Sequence, residues 1–191
     1  GRRIAEALNR NTAILRPLVQ NLSPQVGAAI AEGLNDNTSD LTLQLMAGLS
    51  TEGGRQLSLG LGDNPALLSN LLPRLNADVG KEVAAGLNEN AAALSPSFLE
   101  AMLGATSPSF AQVIVDVMNA SPYNMDDFIS VLLLNLNPAT ARAAAQGVNA
   151  NPDFLTHLLR RLDGGAAARQ LNQDEAWFTS LVANLDGGAL A

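Results

Sequence analysis

The tetrad Leu34-Asn35-Asp36-Asn37 keeps returning along this chain. It recurs as Leu8-Asn9-Arg10-Asn11, Leu61-Gly62-Asp63-Asn64, Leu87-Asn88-Glu89-Asn90 and Val148-Asn149-Ala150-Asn151, with weaker copies at Met118-Asn119 and Leu171-Asn172-Gln173-Asp174. Successive copies start 26, 27, 26, 31, 30 and 23 residues apart. A period of this size marks a tandem array, in which each unit buries its apolar side against its neighbours.

Residues 34–60 show what one unit contains. Leu41, Leu45, Met46 and Leu49 form the apolar stripe of a short amphipathic helix, helix A. After the break Ser50-Thr51 a second segment, helix B, runs to Gly60, and the tetrad restarts at Leu61. Helix A is rich in leucine. Helix B is rich in small residues, as at Gly27-Ala28-Ala29, Ala84-Ala85 and Ala143-Ala144-Ala145, which predicts close approach of helix axes. The expected fold is therefore all-α, an α-solenoid of stacked helix-turn-helix repeats of about 26 residues. Its architecture is that of HEAT, TPR and armadillo arrays, but the TPR signature is absent and the unit is shorter than theirs.

Local signals mark the helix ends. Seven of the nine prolines follow Asn or Ser: Ser23-Pro24, Asn64-Pro65, Ser95-Pro96, Ser107-Pro108, Ser121-Pro122, Asn137-Pro138 and Asn151-Pro152. Asn or Ser accepts from orphan amides of a first helical turn, and proline next to it loses nothing there, so each pair predicts a helix start. Pro17 and Pro73 lie inside helix A and predict a kink or an early turn. Gly33, Gly60, Gly86 and Gly147 precede an apolar residue and then the tetrad, which reads as a left-handed glycine stop.

The 191 residues divide into a half unit, 1–7, then units 8–33, 34–60, 61–86, 87–117, 118–147 and 148–170, and an incomplete unit, 171–191. Both partial units suggest a fragment of a longer array forming a single helical-repeat domain. The units 87–117 and 118–147 are longer, and every aromatic residue lies at or after Phe98. Irregular units often carry the binding face of an array.

Composition excludes several functions. The chain has no cysteine and a net charge of −7, so thiolate metal sites are absent and nucleic acid or anionic membranes are repelled overall. Of the eleven cationic residues one is lysine, a bias expected of a bacterial coding sequence. No run is long enough for a membrane span. The compartment stays open.

Candidate site residues fall in the irregular half: Tyr123, Asp126, Asp127, Phe128, His157, Arg160 and Arg161. Adjacent Asp126 and Asp127 diverge on a helix and do not converge on a substrate as an acid–base pair must. His157 has no second histidine or cysteine for a metal; with Arg160 and Arg161 it suits the negative end of a helix. The acids Asp36, Asp63 and Glu89 read as first-turn charges, and the tetrad asparagines as caps in preference to a ligand-binding amide ladder. No catalytic residue, metal site or cofactor is expected.

The function expected is a non-catalytic protein-interaction scaffold that binds a protein or peptide. One alternative is a structural or self-assembling segment of a large bacterial surface or envelope protein, associating through exposed terminal repeats. Another is a carrier of an apolar small molecule.

Overall fold

The structure is a computed structural model in which residues 1–37, 40–120, 127–165, 168 and 175–186 are described. Among them it is all-helical. The helices are α1 (Arg2–Arg10), α2 (Leu15–Asn21), α3 (Pro24–Asn35), α4 (Leu41–Gly48), α5 (Thr51–Asp63), α6 (Pro65–Leu71), α7 (Ala77–Ala93), α8 (Phe98–Gly104), α9 (Pro108–Ala120), α10 (Phe128–Leu134), α11 (Pro138–Ala150), α12 (Pro152–Arg161) and α13 (Glu175–Ala183). The only ladder-type pairing among the described residues is an isolated bridge between Asn76 and Asp127. Helices α2, α4, α6, α8, α10, α12 and α13 are of the A type; α1, α3, α5, α7, α9 and α11 are of the B type.

Helix starts follow the proline signals closely. Helices α3, α6, α9, α11 and α12 each begin at the proline of a Ser-Pro or Asn-Pro pair. At Ser95-Pro96 the start moves on to Ser97, which caps α8 in a reciprocal box with Glu100. The pair Ser121-Pro122 lies outside the described residues. Pro73 sits in a 3-10 turn, Leu72–Arg74, that ends α6, and Pro17 sits in the first turn of α2 after the 3-10 turn Thr12–Ile14. Both are places where a missing amide is tolerated.

Stops do not follow the glycine signals. No glycine among the described residues has a positive φ. Gly60, Gly86 and Gly147 lie inside the B helices, and the two residues that follow each of them are still helical. These glycines mark close contact between helices. A Cβ on Gly86 would lie 2.5 Å from the carbonyl oxygen of Leu43, and one on Gly147 2.6 Å from that of Glu100. An earlier glycine of the B helix does the same in the opposite direction: Gly27 against Leu67, Gly54 against Phe98 and Gly80 against Phe128.

Those distances reveal the packing rule. Each helix packs chiefly on the third helix after it: α1 on α4, α2 on α5, α3 on α6, α4 on α7, and so on to α9 on α12. Helices adjacent in sequence, such as α5 and α6 or α11 and α12, meet only lightly. Among the described residues the main packing therefore skips two helices, and because types alternate, each such contact sets an A helix on a B helix. This differs from stacked hairpins, where sequence neighbours would be the main partners. No substantial packing joins α1 to α12 or α13.

The core runs between the helices so packed. Ala5, Leu49, Leu87, Phe98, Leu99 and Ala144 form one cluster; Val19, Leu61, Leu67, Leu68, Phe110 and Val113 form another. Phe98 is 2 % exposed. Burying a side chain of that size contributes about 2–3 kcal/mol.

Candidate functional site

The tetrad asparagines join helices that are distant in sequence. In five copies among the described residues the first asparagine reaches forward. Asn9 donates to the Gly48 carbonyl and accepts from the Ser50 amide; Asn35 holds Arg74 and Asn76 in the same way, and Asn88 holds Asn135 and Asn137. Asn119 holds Arg161 and Asp163, and Asn149 holds Asn184 and Asp186. Each amide straddles one residue at the end of an A helix: Leu49, Leu75, Leu136, Leu162 or Leu185. All ten bonds measure 2.7–3.0 Å.

The second asparagine reaches back. Asn64 donates to Val19 and Leu22, Asn90 to Met46, Ala47 and Leu49, and Asn151 to Leu103 and Thr106. These carbonyls lie at the C-terminal ends of A helices, where a helix leaves acceptor capacity unfilled. The capping expectation is met only in part: Asn64 also caps α6 and Asn137 caps α11, but Asn151 makes no cap bond. An amide ladder exists, but its amides are engaged with backbone.

The acids of the tetrads also differ from expectation. They stand at the C-terminal ends of B helices, where the helix dipole disfavours them. Asp63 is held by Arg16 of α2 at 2.8 Å.

Two units depart from this scheme: the copy at Leu61 carries Gly62 in place of the forward asparagine, with Ser109 donating to its carbonyl at 2.8 Å, and at the copy beginning with Met118 a cleft opens. Aligning Met118-Asn119 with Leu87-Asn88 puts Val117 at the position of Gly86 and Ser121 at that of Asn90. The forward asparagine is kept, and Asn119 still holds α12. The glycine that admits the preceding A helix is replaced by a branched side chain, and the backward asparagine is missing. The preceding A helix there is α6. Between α6, α9 and the start of α10 lies a cleft of about 430 Å³. Among the described residues its walls are Leu72, Leu75, Val113, Val117, Phe128 and Ile129, with Ser69, Asp116 and Asp127 supplying polar groups.

The structure separates the candidate residues into two groups. Asp127 and Phe128 line the cleft. Asp127 is the N-cap of α10, accepting from the amide and hydroxyl of Ser130, and Phe128 is buried at 7 % exposure. His157, Arg160 and Arg161 lie on α12, across α9 from the cleft. His157 Nδ1 is 3.0 Å from the Asp153 carbonyl, within its own helix. Arg161 donates to Gln112 of α9, and with Arg160 it sits in the last turn of α12, as the dipole argument expects. Tyr123 and Asp126 lie outside the described residues. Sequence reasoning missed Val113, Val117, Leu72 and Leu75; the signal was Val117 standing where aligned units carry glycine.

No cluster of three or more His, Asp or Glu side chains suited to a metal occurs among the described residues. No single helix there is long and apolar enough to cross a membrane. Comparison with protein-family models, with curated proteins and with solved structures finds no match in any of the three.

Proposed function

We propose that this chain is an α-solenoid of about 26-residue repeats that acts as a non-catalytic interaction scaffold. Its partner, a protein or peptide segment, seats an apolar side chain in the cleft between α6, α9 and α10. Support for the array comes from the glycine and asparagine contacts, which recur with the sequence period. Support for the partner site comes from Val117. The glycine and the backward asparagine found at the other junctions are replaced in the sequence of this one, and among the described residues a cleft with largely apolar walls lies beside Val117. The polar groups of Ser69 and Asp116 beside it favour a partner carrying a donor or cation next to its apolar anchor.

A carrier of an apolar small molecule is the second reading. The cleft volume falls within the range of about 300–1,000 Å³ usual for small-ligand pockets. A random peptide display library panned against the purified chain separates the two. The scaffold reading expects enriched peptides with a large apolar anchor whose affinity falls about tenfold or more with Val117→Arg, a loss of about 1.4 kcal/mol or greater. Failure to enrich peptides, together with a co-purified lipid-like ligand in native mass spectrometry, favours the carrier. Peptides that bind the variant and the parent equally well defeat the site assignment.

A further inference from the structure

The junction between α4 and α7 carries two polar groups at positions that are mostly apolar elsewhere. Thr42 stands seven residues before Leu49, and the residues seven before Leu75, Leu136, Leu162 and Leu185 are Leu68, Ile129, Leu155 and Phe178. Glu82 stands four before Gly86, and its counterparts four before Val117 and Gly147 are Val113 and Ala143, both buried. The counterpart before Gly60 is Gln56, whose amide donates to Glu52. Thr42 is 2 % exposed, and the Oε2 atom of Glu82 is buried. Neither the Thr42 hydroxyl nor that oxygen has a hydrogen-bond partner among the described residues.

Both groups belong to one end of the junction. Helices α4 and α7 lie side by side and run in the same direction. A Cβ on Gly86 meets Leu43 and Met46, and Asn90, one turn later, donates to Met46, Ala47 and Leu49. The turn before Gly86, which holds Glu82, therefore lies beside the first turn of α4, which holds Thr42. The two ends of α4 are held unequally. At the C-terminal end Asn90 binds three carbonyls, and Asn9 binds the Gly48 carbonyl and the Ser50 amide. At the N-terminal end Asp40 makes no side-chain cap bond, whereas Ser97, Asp127 and Asn137 cap α8, α10 and α11.

We infer that the α4–α7 junction is an opening point built into the fold. Its N-terminal half separates reversibly, ahead of the aligned junctions, while the end held by asparagines stays closed. A buried oxygen without a donor is penalised in the closed junction and regains water in the open one, which moves the local equilibrium toward opening. Helix α4 has eight residues, and so short a helix keeps its own hydrogen bonds only while it is packed. Opening therefore exposes its amides to solvent. The inference rests on the contacts of this junction and is independent of the cleft and of any partner.

Amide hydrogen exchange of the whole chain, followed residue by residue by NMR, tests it. Leu45 and Met46 of α4 are compared with Met102 and Leu103, the aligned amides of α8, whose Leu99 packs with Ala144 in an apolar cluster. After correction for intrinsic rates, Leu45 and Met46 should exchange about tenfold or more faster. Thr42→Val combined with Glu82→Ala removes both unpartnered oxygens. It should slow Leu45 and Met46 to the α8 rate and leave Met102 and Leu103 unchanged. Thr42→Val alone barely alters the shape of the site and should act in the same direction, so the test survives a double variant that fails to fold by circular dichroism. Equal exchange in α4 and α8 of the parent chain, variants that leave Leu45 and Met46 unchanged, or a uniform slowing of all four amides would each overturn the inference.

Discussion

At the scale of single residues, the tetrad asparagines are what separates this fold from a row of marginal helices. Asn90 is 1 % exposed, donates to three carbonyls and accepts from the Phe98 amide at 2.8 Å. Truncation leaves several buried groups unsatisfied at once, and each such group costs about 1–3 kcal/mol. Asn90→Ala should therefore lose about 3 kcal/mol in urea unfolding; a loss under about 1 kcal/mol would show that water substitutes for the amide. Glycines make a sharper comparison, because two aligned positions should respond with opposite sign. Gly86→Ala drives a methyl into the Leu43 carbonyl and should cost about 1–3 kcal/mol. Gly33→Ala meets open space at an ordinary helical φ and should gain about 0.5–1 kcal/mol, measured the same way. Equal effects at both positions would contradict the close-approach account. The sequence displayed these residues plainly but hid their purpose. A glycine or asparagine near a helix end looks like a local cap, and its real partner lies 35–49 residues away. The same blindness concealed the cleft, since Val117 looks like one more apolar helix residue until the unit is aligned with its neighbours.

At the scale of elements, legibility was much higher. Proline-marked starts, the leucine stripe of the A helices and the small residues of the B helices are local physics, and local physics is written in local sequence. Only the stops failed, because Leu-Asn of the tetrad satisfies its helix and bonds to a distant helix together. Electrostatics within an element are weak here. Glu52, in the first turn of α5, accepts from Arg55 and Gln56, and these hydrogen bonds, that from Arg55 foremost, hold its carboxyl below the usual carboxylate value. A depressed folded-state value means stability present at neutral pH that fades as pH falls through it. The Glu52 side chain is half exposed, so solvent screening keeps the effect small. Glu52→Gln should leave neutral-pH stability nearly unchanged and slightly flatten the acid limb of the stability profile. A large neutral-pH loss would mean that the cluster matters to the packing of α5 on α8.

At the scale of the whole molecule, the sequence gives the period but not the pairing. The 26-residue spacing covers two helices, whereas the main packing skips two helices. Nothing in a single unit indicates that its best partner lies one and a half units away. What decides the matter is which surfaces fit. The small-residue face of a B helix accepts the backbone of an A helix, and the asparagines then fix the offset. The absence of cysteine in the parent chain permits a clean test of that offset. In α8 and α11 a Cβ on Gly104 would sit 3.6 Å from the Cβ of Ala150, within the range a disulfide accepts. On mild oxidation, the Gly104→Cys/Ala150→Cys variant should form an intrachain disulfide nearly completely and without loss of helix content. Two free thiols in a fully folded variant would contradict the packing of α8 on α11.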